Sequence, residues 1–183
     1  MTTPLNTTRR LGSAAAATAL ALGAGLLTAA PANADGGYDQ TWFSDTTFVN
    51  ILSGKCLEVG GWRTDDGAPV NQWACTGGAN QKWRFTDGQL INVNSGKCLD
   101  VPGWDTTPGI QLTQWECNGG DNQRWSAGVM GVSGMRRIFD KHTLLVLDAA
   151  GASKEDGAPV IQWTRNSGAN QAWGPGPNPG LGA

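Results

Sequence analysis

Gln81-Lys82-Trp83, Gln123-Arg124-Trp125 and Gln171-Ala172-Trp173 recur at intervals of 42 and 48 residues, and self-similarity of this period decides a fold before local propensity does. The same intervals separate Trp73, Trp115 and Trp163, and the acidic residues Glu58, Asp100 and Asp148. In every repeat the acid is followed by Trp at 15 residues, Asn at 22 and Gln at 23. Four offsets matched three times define three copies of one unit. Within the copies, runs such as Leu90-Ile91-Asn92-Val93, Cys98-Leu99-Asp100-Val101 and Ile110 to Trp115 alternate with a two-residue period, and Gly, Asn, Asp and Pro punctuate them. That pattern predicts short strands and no helix of useful length. Propellers use at least four blades, so three all-β repeats are expected to close around one pseudo-threefold axis, which also removes exposed sheet edges.

The cysteines keep the same register. Cys56 and Cys75 lie 19 residues apart, as do Cys98 and Cys117, and the third repeat has Val146 and Arg165 at these positions. Four cysteines allow three connectivities; the register selects Cys56–Cys75 and Cys98–Cys117, with both halves of the pair missing together from the third repeat. The extra residues of the second interval fall between Ser126 and Ile138, where a Gly-rich stretch predicts a longer surface loop.

Residues 1–34 read as an export signal. Arg9-Arg10 precede an apolar, Ala-rich run from Leu11 to Ala30, and Ala32-Asn33-Ala34 supplies a small-x-small cleavage site. Thr18, Gly23, Gly25 and Thr28 interrupt the run and argue against a membrane span. Cleavage after Ala34 leaves one domain over 35–175, with repeats at about 43–85, 86–127 and 128–175, and a flexible Gly/Pro tail over 176–183. Thirteen Lys and Arg stand against fifteen Asp and Glu, and two of the basic residues belong to the signal. The acidic mature chain has no basic cluster, so nucleic acid and anionic membrane are poor partners, and a secreted monomer with disulfides is expected.

The blocks Ser53-Gly-Lys-Cys-Leu-Glu-Val59 and Ser95-Gly-Lys-Cys-Leu-Asp-Val101, the run Val146-Leu147-Asp148-Ala149 and the three Asn-Gln-x-Trp ends resemble the ricin B-type lectins and the related family 13 carbohydrate-binding modules. The resemblance covers about Trp42 to Trp173 and implies a β-trefoil that binds glycans at one shallow site per repeat. It assigns Asp100, Trp115, Asn122 and Gln123 to the second site, Asp148, Trp163, Asn170 and Gln171 to the third, and Glu58, Trp73, Asn80 and Gln81 to the first. Glu58 stands where the family usually has Asp, and one added methylene displaces a carboxylate by more than a hydrogen bond tolerates. Two residues before the stacking Trp the chain has Asn71, Thr113 and Ile161; the isoleucine cannot hydrogen-bond a ligand, which leaves the second site without a defect.

The chemistry agrees with these roles. A pyranose has hydroxyls around its rim and an apolar C–H face that a Trp ring covers. A carboxylate accepts from two adjacent hydroxyls, and an amide both donates and accepts. Galactose-, arabinose- and xylose-type glycans are all compatible. Trp83, Trp125 and Trp173 are expected in the core. Trp62 and Trp104, four residues after the acid, fall in loops with little core to fill and would extend the first two sites; Ala152 denies this to the third.

No catalysis, metal or cofactor is expected. His142 is the only histidine, no close Cys-x-x-Cys pair is present, and the repeated acids sit in separate repeats instead of facing one glycosidic bond. The competing reading is a protein-binding trefoil, such as a protease inhibitor or toxin-delivery subunit, using the loop around Met130, Met135 and Arg136-Arg137. Two terminal features sit outside the repeat. Gln40-Thr41-Trp42 is a fourth Gln-x-Trp, and the Gly/Pro alternation from Gly174 predicts little strand, so the early segment is expected to close the barrel.

Overall fold

The structure, a computed structural model, describes residues 44–129 and 135–176. Each repeat forms a lobe of four strands. The first holds β1 (Thr46–Asn50), β2 (Cys56–Val59), β3 (Val70–Trp73) and β4 (Lys82–Thr86). The second holds β5 (Gln89–Asn92), β6 (Cys98–Asp100), β7 (Thr113–Trp115) and β8 (Trp125–Val129). The third holds β9 (Arg136–Asp140), β10 (Val146–Ala149), β11 (Val160–Trp163) and β12 (Trp173–Pro175). The outer strands of each lobe build a barrel: β1 pairs with β4, β4 with β5, β8 with β9, β9 with β12, and β12 returns to β1. Trp125 N–H donates to Gly88 O at 2.6 Å and joins β8 to the start of β5. The hairpins β2–β3, β6–β7 and β10–β11 form a triangular cap, stitched by Val70 N–H to Leu112 O, Leu112 N–H to Val160 O and Gln72 N–H to Ala158 O, each at 2.9 Å. The chain is a β-trefoil.

Trp83, Trp125 and Trp173 are fully buried on the axis with Leu57, Leu99 and Leu147. Each indole Nε1–H donates to one of those leucine carbonyls, at 3.1, 3.0 and 3.2 Å, so the polar edge of each ring is satisfied where it is desolvated. The register-selected disulfides Cys56–Cys75 and Cys98–Cys117 are both present.

Two expectations are corrected. The stretch from Ser126 to Ile138 is chiefly ladder: Trp125 to Val129 pair with Asp140 to Arg136, whereas the equivalent β4–β5 hairpin turns after Thr86↔Gln89. Ser126 to Val129 and Arg136 to Ile138 are thus strand where loop was expected, and residues 130–134 lie outside the described residues. At the other end, Gly174 and Pro175 belong to β12 and pair with Val49 and Phe48. Gly176 N–H donates to Thr47 O at 2.6 Å, so the ladder resumes directly beyond the proline that lacks a donor. The Gln40–Trp42 segment and the export signal lie outside the described residues. No helix among the described residues is long and apolar enough to cross a membrane.

One buried asparagine of the threefold set is replaced in the third lobe. Asn50 and Asn92 accept backbone N–H bonds from their own turns through Oδ1 and donate through Nδ2 to Asn170 O at 2.8 Å and Asn80 O at 3.0 Å. The third lobe has Asp140 there. Its Oδ1 accepts from His142 N–H and Thr143 N–H, but its buried Oδ2 has no hydrogen-bond partner.

Candidate functional site

Strand register puts the repeated residues together. Glu58 pairs with Asn71 and Cys56 with Trp73; Asp100 pairs with Thr113 and Cys98 with Trp115; Asp148 pairs with Ile161 and Val146 with Trp163. Side chains two apart on a strand share a face. Each acid, the residue opposite it and the Trp therefore occupy the outer face of one cap hairpin, while Leu57, Leu99 and Leu147 face the core. The tryptophans stay open: Trp73, Trp115 and Trp163 are 43%, 44% and 41% exposed.

A 3₁₀ turn after each hairpin returns the Asn-Gln pair to the acid, at Ala79–Gln81, Asp121–Gln123 and Ala169–Gln171. In the second lobe Asp100 Oδ2 accepts from Asn122 Nδ2 at 2.8 Å and Gln123 Nε2 at 3.0 Å. In the third lobe Asp148 Oδ1 accepts from Asn170 Nδ2 and Oδ2 from Gln171 Nε2, both at 2.8 Å. In the first lobe Glu58 Oε2 accepts from Gln81 Nε2 at 2.7 Å, and Asn80 Nδ2 donates to Val59 O at 3.3 Å. The turn requires glycine before it, since a Cβ at Gly78 or Gly120 would lie 2.7 or 2.6 Å from the Oδ1 of Asn80 or Asn122.

Gln81, Gln123 and Gln171 are fully buried. Besides the acid, each Nε2 donates to a carbonyl past the hairpin, that of Ala74, Glu116 or Thr164, at 2.9, 3.0 and 3.0 Å. Each Oε1 accepts the N–H of Thr76, Asn118 or Asn166 at 2.8, 2.9 and 2.8 Å. These amides orient the acid and have little left for a ligand. Burial pushes the carboxyls of Glu58, Asp100 and Asp148 above the ordinary range, and the amide hydrogen bonds partly offset this.

The sequence reading missed three glutamines. Gln72, Gln114 and Gln162 directly precede the exposed tryptophans and are fully buried. Gln114 Nε2 donates to Arg63 O and Asp65 O of the first lobe, at 3.1 and 3.0 Å. Gln162 reaches Asp105 O and Thr107 O of the second, and Gln72 reaches Ser153 O and Glu155 O of the third. Each Trp leans on the loop so gripped: the Cζ3 of Trp115, Trp163 and Trp73 lies 3.7, 3.2 and 3.5 Å from where a Cβ would fall at Gly67, Gly109 and Gly157. Two ion pairs tighten the same junctions. Lys97 meets Asp66 at 2.7 Å and Lys55 meets Asp156 at 2.6 Å, and those aspartates also accept the N–H of Glu116 and Ala74, next to the tryptophans. The third junction has Leu145 and Pro108 at these positions. A fifth matched offset, Gln at 14 from the acid, was available in the sequence to reveal these residues.

An exposed indole beside an amide-held carboxylate, three times on a trefoil, defines a carbohydrate-binding protein of the lectin class. The chain belongs to the family described as Ricin-type beta-trefoil lectin domain, which it matches over residues 44–173. Among solved structures it is similar to ThreeFoil, a designed 3-fold symmetric protein, at 39% identity and a TM-score of 0.69 over 72% of this chain and 97% of that one. It is similar to 1,3Gal43A, an exo-beta-1,3-galactanase from Clostridium thermocellum, at 34% identity and 0.70, over 72% of this chain but 30% of the enzyme. The Macrolepiota procera ricin B-like lectin, solved in complex with lactose, shares the fold at 23% identity and 0.63, over 73% and 95%. No curated protein sequence matches the chain.

Proposed function

We propose that this is a secreted lectin that holds pyranosides of the galactose, arabinose or xylose type at up to three shallow sites and performs no catalysis. The observation that carries this reading is the second lobe, where Asp100 is held by Asn122 and Gln123 on the face that exposes Trp115. Asp100 accepts two sugar hydroxyls, with its Oδ1 free of any protein donor. Trp115 covers the C–H face of the ring, and Asn122 and Gln123 position the acid. Asp148, Trp163, Asn170 and Gln171 act likewise in the third lobe, but buried Ile161 stands beside the acid. Glu58, Trp73, Asn80 and Gln81 form the first site, where the acid is one methylene longer.

A galactoside is supported by two similar proteins, a lectin solved with lactose and an exo-beta-1,3-galactanase. Each acid is engaged by amides of its own lobe, and the three acids belong to separate lobes instead of facing one glycosidic bond. Export is supported by the signal-like sequence of residues 1–34 and by the two disulfides, and the protein is read as a monomer. Single open sites of this kind bind at about millimolar Kd, and several on one body gain avidity on a polymer. The test is retention of the oxidised mature protein on insoluble galactan, xylan, arabinan and chitin, beside the Asp100→Ala, Trp115→Ala double variant. Retention on one polymer that drops in the variant supports the lectin; no retention on any polymer, with inhibition of a protease, supports the protein-binding trefoil instead.

A further inference from the structure

Trp62 and Trp104 take no part in the three sites so far described, yet they are the most exposed tryptophans described, at 56% and 49%. Both stand in the left-handed region, with φ of 59° and 57°, where a bulky side chain is uncommon. Neither ring hangs in solvent. A Cβ at Gly78 would fall 2.7 Å from Trp62 Cζ2, and one at Gly120 would fall 2.9 Å from Trp104 Cζ2. Each ring thus lies across the glycine whose turn delivers Asn80 or Asn122 to the acid. Beneath them, Asn80 Oδ1 and Asn122 Oδ1 are buried without a hydrogen-bond partner. The following lobe braces each loop: Asn94 Nδ2 donates to Trp62 O at 3.3 Å, and the His142 ring meets Trp104 edge-on at 5.2 Å.

The third lobe is a built-in comparison. Ala152 adopts the same backbone, with φ of 53°, and the atoms nearest a Cβ at Gly168 belong to Asn170 and Asn166 instead of an aromatic ring. Without that cover Asn170 is 8% exposed, against 1% and 3% for Asn80 and Asn122.

Resting on the lectin reading above, we propose that Trp62 and Trp104 are outer aromatic platforms that take the next pyranose of a glycan chain, so that the first and second sites bind oligosaccharides and the third binds a single residue. The chemistry is that of the primary platform: an exposed indole face matches an apolar sugar face. Its position beside the Asn places it next to the sugar held by the acid, and its contact is gained only by a ligand longer than one ring. Ala152 shows that alanine is accommodated at this position, so Trp62→Ala, Trp104→Ala retains the fold.

The experiment is calorimetric titration of the mature protein with galactose, xylose and arabinose, and with the β-1,3-galactotriose, xylotriose and arabinotriose that extend them. The result expected is a trisaccharide that binds about tenfold more tightly per site than its monosaccharide, a factor within the range of one added aromatic contact. In the double variant that gain disappears while monosaccharide binding is unchanged, and Ala152→Trp adds a third chain-length-sensitive site. A gain that survives in the double variant, or no gain in the wild type despite monosaccharide binding, overturns the platforms alone. Absence of all sugar binding by the folded wild type overturns the lectin reading and the platforms with it.

Discussion

Replacing Asp140 by Asn removes the one break in a buried threefold set. Asn50 and Asn92 each donate an amide N–H to the carbonyl of the site asparagine of a neighbouring lobe, Asn170 or Asn80. The symmetry-equivalent carbonyl for position 140 is Asn122 O, and the Asp140 Oδ2 that takes the place of the amide donor has no hydrogen-bond partner. A buried acceptor left without a donor costs about 1–3 kcal/mol, and Asn at this position supplies the donor while retaining the turn bonds now made by Oδ1. For a domain of this size that is a rise of roughly 3–10 °C in Tm. The rise depends on pH with a definite sign. Burial pushes the Asp140 carboxyl above its ordinary 3.8, against hydrogen bonds from Thr143 and His142 that pull the other way. A raised folded-state pKa means that the native protein holds this proton more tightly than the unfolded chain does, so its contribution is full below the unfolded value and is lost as pH rises through the folded one. Protonated Asp140 can itself donate to Asn122 O. The advantage of Asp140→Asn is therefore large at neutral pH and shrinks on acidification toward pH 4, as read by calorimetric melts of both proteins across pH 4–8. A variant no more stable than the wild type at pH 7, or a gain that stays constant with pH, refutes the reasoning.

Sugar binding should weaken on acidification, with an apparent midpoint above the ordinary 3.8 of an aspartate, because burial raises Asp100 and only its ionised form accepts from two hydroxyls; titration against a retained oligosaccharide from pH 7 to pH 4 reads it. Reducing the disulfides should lower stability by about 3 kcal/mol for each loop of this length, measured by denaturant unfolding, with the first two lobes losing amide-exchange protection before the third. Gln123→Ala should lower both stability, by about 1–3 kcal/mol, and sugar affinity, because it releases Asp100 together with Glu116 O and Asn118 N–H. Asp66→Ala should weaken binding at the second site more than at the others, since it frees both Lys97 and the backbone beside Trp115; single-site titrations separate the three.

The lobes were legible because trefoil symmetry is written as repeat arithmetic: Gln-x-Trp, the acid and the cysteine spacing fall on one register, and a fully buried Trp at each repeat is how three lobes share one core. What escaped was mostly contact between lobes. Gln72, Gln114 and Gln162 bond to carbonyls of loops 49 to 83 residues away, and nothing local distinguishes them from solvated glutamines except their own recurrence. The Asp140 break was readable as Asn50, Asn92 and Asp140 in one column, but its cost depends on a burial that only the closed barrel creates. The lengthened β8–β9 hairpin was hidden by its glycines, which suggest a loop until the partner strand supplies the ladder. Pro175 was discounted for its missing donor, although Gly176 restores the bond one residue on. The Asn-Gln pair was read as contacting the ligand, whereas both members are buried and spend their N–H groups on the acid and on backbone carbonyls.

The most direct test of the central claim is a ¹H–¹⁵N titration of the tryptophan indoles with oligosaccharides of galactan, xylan and arabinan in turn. Shifts at Trp115 and its exposed counterparts Trp73 and Trp163, with Trp83, Trp125 and Trp173 unmoved, are the result this account predicts. Folded protein whose exposed indoles respond to none of these glycans would contradict it.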